Sequence, residues 1–265
     1  MHQISKQPGN GTMNPISFPT SRFLPFTLAL MIAPLGYSEP IQATDTKELT
    51  PIEMVTLMES HYNAAILSHD ALIRGNLKML RNQLAKIETQ VLPDAAPQSW
   101  KPHHTRLREA ASSAASVSTL SSAAPVMSAV AEACGACHAA VGAGKIYFWP
   151  APPDKDDKLK TAMRTHQWAT ERLWEGVTGP FGEAWNRGAT ALAEARVFEE
   201  KKNKIKSSLL EREAALREAG QTAKDTTGLH ERAIIYGQLL TTCAECHQEA
   251  GVSIKPTKSI PPWRK

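Results

Sequence analysis

Apolar side chains recur along this chain at three- and four-residue spacing, and no stretch alternates for long enough to read as a strand. Val55, Met58, Ala65 and Leu72, for example, fall on one stripe of a helix. The pattern predicts an all-α protein whose helices come in two runs of four. The first run covers 51–74, 76–91, a segment from Pro102 through Ala110, and 123–142. The second covers 155–177, 181–197, 203–219 and 229–249. Pro51 stands where a first helical turn tolerates proline, and Pro125 is expected in the first turn of the fourth segment. Pro93, Pro97, Gly179-Pro180, Gly220 and Gly228 mark breaks. Ala-rich stretches at 110–115 and 123–136 strengthen the helical reading, since alanine loses no side-chain entropy in a helix.

The two runs repeat one another. Leu107-Arg108-Glu109-Ala110 returns as Leu216-Arg217-Glu218-Ala219, 109 positions on (216 − 107). Leu120 and Ala124 match Leu229 and Ala233 at the same offset. Upstream the offset drifts: Met58 and His61 match Met163 and His166 at 105 (163 − 58), and Leu72–Gly75 resembles Leu173–Gly176 at 101 (173 − 72). A period of this size is that of a whole domain, not of a solenoid repeat. Short connections within each run predict two tandem four-helix bundles, at 44–147 and 155–250. A Pro-rich linker at 148–154 joins them, and a tail at 251–265 follows.

All four cysteines fall in two pentads of one kind, Cys134-Gly135-Ala136-Cys137-His138 and Cys243-Ala244-Glu245-Cys246-His247, again 109 apart (243 − 134). Cys-x-x-Cys-His is the attachment signature of c-type haem. Two thiols one helical turn apart can bond the two vinyl groups of one haem, and the adjacent histidine then lies beneath the iron as proximal ligand. Thioredoxin-like dithiols would not need histidine after both second cysteines. Paired zinc knuckles use a much shorter gap. The expectation is two covalent haems, on Cys134 and Cys137 and on Cys243 and Cys246, with His138 and His247 on the irons.

The chain has 265 residues, 42% hydrophobic and 21% charged, and a net charge of +4. Acidic and basic residues are mixed, with no basic block, so no nucleic-acid partner is expected. Residues 1–43 have the layout of a cleaved signal peptide: Arg22 ahead of a short apolar run, then small and polar residues to Ala43. The expected location is therefore the periplasm. Nothing after Ala43 is expected to be long and apolar enough to span a bilayer, so no stable membrane insertion should follow cleavage.

Each pentad lies on the last helix of its run, and in this the chain resembles the class II cytochromes, the cytochrome c prime superfamily. The resemblance covers about residues 50–249, as two copies. It implies a choice at the sixth iron position: a side chain of the first helix, or an open site for small gases. His61 and His166 are the first candidates, because imidazole binds iron strongly and histidine recurs in both halves. Met58 and Met163, three residues earlier on the same faces, are the alternates, with core filling as their ordinary role. His69, two turns beyond His61, has no histidine counterpart and is the weakest candidate. His103 and His104 open a helix, but Arg212 stands opposite His103, so an exposed position without a repeated role is expected for both, as for His230. Arg108 and Arg217 recur, as surface ion pairs or as partners of a haem propionate. Trp168, Trp174 and Trp185 are expected in the core.

Together these readings imply an exported electron carrier that meets redox proteins and has no enzymatic site of its own. Oligomers are compatible with them. Gas binding at an open iron is the alternative. A dihaem peroxidase would place its pentads early in the chain, which this sequence does not.

Overall fold

The computed structural model describes residues 49–143, 151–153, 159–198 and 205–252. The expected signal peptide, most of the linker and nearly all of the tail lie outside the described residues. Among the described residues the protein is all-α, with no strand. Eight α-helices run α1 Pro51–Ile73, α2 Leu77–Thr89, α3 Lys101–Ser112, α4 Leu120–Ala140, α5 Leu159–Thr178, α6 Gly182–Glu194, α7 Ser207–Lys224 and α8 Leu229–Glu249. The described residues belong to one compact unit.

Local chemistry sets the helix ends. Thr50 and Glu53 cap the start of α1 as a capping box, with Pro51 at the first helical position. At the other end Gly75, at φ +67°, closes a Schellman motif: its N–H reaches the Leu72 carbonyl and the Asn76 N–H reaches Ala71. Thr119 and Ser122 form a second capping box that starts α4 at Leu120, three residues before the expected boundary. Pro125 therefore sits in the second turn, inside the helix, where it removes one backbone donor.

Arg108 and Arg217 take a role the sequence did not suggest. Arg108 Nε donates to the Glu88 carbonyl at 2.5 Å and Arg217 Nε to the Ala193 carbonyl at 3.3 Å. Each satisfies a last-turn carbonyl, of α2 and α6, that helix geometry leaves without a partner.

Consecutive helices pack within each run, and the runs meet through a long α4/α8 contact, with α4 against α5 and α1 against α8 on either side. At the α4/α8 crossing, a Cβ on Gly237 would strike Ser128 Oγ and the Ala124 carbonyl, so this backbone approach requires glycine. One core holds Leu72, Leu80, Leu84 and Met127 of the first run with Leu173, Trp185, Tyr236 and Leu240 of the second. Trp168, Trp174 and Trp185 are buried as expected, and Trp185 Nε1 donates to the Ala223 carbonyl at 2.7 Å. Val55, expected on the buried stripe, is 57% exposed, because the first two turns of α1 extend past the core.

The expectation that nothing after Ala43 could cross a bilayer does not hold on length and composition. The 21-residue α4 reaches a mean hydropathy of 1.2 over its most apolar window, owing to its alanine and valine content. It packs between α3, α5 and α8.

Candidate functional site

The first pentad lies in the last two turns of α4 and the second in the last two turns of α8. None of the four cysteines is in a disulfide. Burial raises the thiols of Cys137 and Cys246 above their ordinary range and pushes Cys243 up to about 12.

Each pentad histidine is held by the other half of the chain. His138 Nδ1 lies 2.6 Å from the Thr178 carbonyl at the end of α5. His247 Nδ1 lies 3.3 Å from the Ile73 carbonyl at the end of α1. A carbonyl only accepts, so each Nδ1 carries a proton, which in the neutral ring leaves Nε2 as the nitrogen with the lone pair. The helix termini make these carbonyls available. The Schellman motif uses the Ala71 and Leu72 carbonyls and leaves Ile73 free. Gly179-Pro180 stops α5, so no following turn claims the carbonyl of Thr178.

The pairing also fixes the register of the repeat. Ile73 and Thr178 play the same part and stand 105 positions apart (178 − 73), so that offset holds to the end of the helix. It replaces the 101-residue match of Leu72–Gly75. His69 and Trp174 then become counterparts (174 − 69), and they touch, with ring centroids 6.0 Å apart.

A cleft with about 810 Å³ of atom-free space, its open mouth included, lies beside the first pentad. Its walls combine Met58 and His61 of α1, His103 and His104 of α3, Cys134, Cys137 and His138 of α4, and Trp174 and Thr178 of α5. His61 is buried, and its Nε2 has no hydrogen-bond partner. Burial, with His104 adding repulsion, lowers its pKa to about 4. Met58, half-buried, shares the same wall. In the second half His166 repeats this state: buried, Nε2 unpartnered, pKa lowered to about 4 by burial and by nearby His247. Met163 is half-buried. The sequence-derived candidates thus converge: His61 on the cleft of His138, and His166 close to His247.

His103 and His104, expected to be exposed, are half-buried and line the first cleft. Their lack of a repeat hid them, and the one available signal was their position on the first turn of a helix facing α4. His230 is exposed, as expected, and pairs with Glu132 at 2.8 Å. Arg212 bonds Glu249 at 3.1 Å and also Glu245, tying α7 to the second pentad. His69 is buried among Tyr236 and Trp174, where α1, α5 and α8 meet.

Among the described residues, no three His, Cys, Asp or Glu side chains gather as a metal-ion cluster. Each site instead offers two thiols, one oriented imidazole and at least one unpartnered imidazole. That set could hold a flat apolar group bringing its own metal. No protein-family model, curated protein or solved structure matches the chain.

Proposed function

We propose that this chain is an exported dihaem c-type cytochrome, built from two tandem class II-like four-helix bundles, that carries single electrons between redox proteins in the periplasm. The observation that carries the reading is the twin bond from each pentad histidine to a helix-terminal carbonyl. Metal-bound histidines commonly donate their second ring nitrogen in this way, which fixes the ring and raises its basicity. The unpartnered Nε2 atoms of His61 and His166 support the reading too, since a buried donor or acceptor without a partner is costly unless something absent satisfies it.

In this reading Cys134 and Cys137 tether one haem, and Cys243 and Cys246 the other. His138 and His247 would ligate the irons, and His61 and His166 would be their second ligands, with Met58 and Met163 as alternates. A haem iron supplies reversible one-electron chemistry. The protein's part is to keep the histidines neutral, orient them, and exclude water with the apolar walls.

The test is the intact mass and spectrum of protein matured in a periplasm that attaches haem. Two added macrocycles and a six-coordinate, low-spin electron paramagnetic resonance signal from both irons are expected. A colourless polypeptide of unmodified mass refutes the proposal. Cys137→Ser and Cys246→Ser should each disturb attachment of a single haem. The open mouth of the first cleft favours one other reading, gas binding there, which carbon monoxide titration of the reduced protein would reveal as rapid binding to one haem.

A further inference from the structure

The two sites share a plan but differ on α3 and α7. His104 lines the first cleft together with Cys134, Cys137 and His138, and its Nε2 is buried without a hydrogen-bond partner. Its ring meets that of His61 edge-on, with centroids 5.4 Å apart and planes at 61°. Two imidazoles with unpartnered nitrogens therefore face one cleft. At the 109-residue offset, the counterpart of His104 is Glu213 and that of His103 is Arg212 (213 − 104, 212 − 103). Both are committed elsewhere. Glu213 accepts the backbone N–H groups of Val197 at 2.5 Å and Phe198 at 3.4 Å. Arg212 is tied to Glu245 and Glu249.

We infer that His104 is a reserve axial ligand of the first site, able to take the sixth iron position when His61 leaves it, and that the second site has no such reserve. The inference rests on the dihaem reading above. One vacant ligand position would accept one nitrogen, so the imidazole not used would keep its Nε2 free in the same cleft, and exchange would break one metal–nitrogen bond and form another. The first turns of α1 favour the exchange. Ile52 and Val55 are 79% and 57% exposed, so the segment leading to His61 has few contacts holding it in place. His104 sits on the first turn of α3, beside buried Leu107, and is better anchored.

The test uses the haem-loaded full chain and reads the spin state by low-temperature electron paramagnetic resonance. Wild type should give two low-spin irons. His166→Leu should convert one equivalent to high spin. His61→Leu should keep both irons low-spin with a changed set of g values, and His61→Leu/His104→Leu should produce one high-spin equivalent. His61→Gln serves where the leucine variant loads poorly. The gain-of-ligand variant Glu213→His, added to His166→Leu, should restore low spin at the second site. The inference is overturned if His61→Leu alone goes high-spin, if the double variant stays low-spin, or if wild type is high-spin at the first site. Failure of the dihaem reading shows separately, as wild-type protein without added mass.

Discussion

Replacing His69 with phenylalanine should flatten the acid dependence of stability. His69 is 8% exposed, its ring stacks on Tyr236 at 6.0 Å and 11°, and its Nε2 has no partner. Burial lowers its pKa from 6.5 to about 4. Between those values the unfolded chain binds a proton that the native protein does not. The stability tied to the neutral ring is thus fully present above pH 6.5 and is lost as pH falls towards 4. From pH 7.5 to 5.0 that loss is about 2 kcal/mol, from the two pKa values and the linkage relation. Phenylalanine keeps the stacked ring and cannot titrate. Urea melts of both proteins at the two pH values, followed by far-ultraviolet circular dichroism, should show wild type losing about 2 kcal/mol more than His69→Phe. Other histidines titrate in both proteins and cancel in the comparison. Equal losses would refute the assignment of a neutral, buried, unpartnered His69.

Three other substitutions test the packing. Gly237→Ala places a methyl group against the Ala124 carbonyl and Ser128 Oγ, and should destabilise by about 1–3 kcal/mol in denaturant melts. Glu175→Ala removes the nearer of two carboxylates beside Arg172, at 2.7 Å against 3.8 Å for Glu171, and Arg172 is only 1% exposed. With Glu171 still in place the loss should lie near the low end for a broken buried pair, about 3 kcal/mol, visible as a fall in the urea midpoint. Arg212→Ala, in contrast, breaks a partly solvated cluster and should cost about 1 kcal/mol or less by the same melts.

Much of the scaffold could be read from residue patterns. Pro51 announced α1, the proline and glycine breaks separated the helices, and each pentad falls on the last helix of its run as expected. Three features escaped for physical reasons. Side chains cap α4 through a Thr119–Ser122 exchange that carries no apolar signal, so its start was set too late. Arg108 and Arg217 recurred, but the sequence offered only charged partners for them, whereas the structure pairs them with backbone carbonyls. Repetition along the chain does not mark His103 and His104, since a residue that makes one half differ from the other is not repeated.

If the chain is read as a duplication, the cross-bracing has a cause in its symmetry. When two copies of one motif pack face to face, equivalent positions meet near the axis relating them. His69 touches Trp174, its counterpart on α5, and Ser128 faces Gly237, its counterpart on α8. Identical large side chains cannot occupy the same space, so the copies must diverge there: one serine hydroxyl fits only against a residue with no Cβ. Away from the axis no such conflict exists, and the copies keep the same chemistry, as in the His138–Thr178 and His247–Ile73 pairs. Because each of those bonds takes its carbonyl from the opposite run, neither pentad histidine is fully oriented by its own four helices. A substitution at the end of α1 or of α5 therefore reaches the pentad histidine of the opposite run, and the pairing of α4 with α8 ties the two pentad helices together.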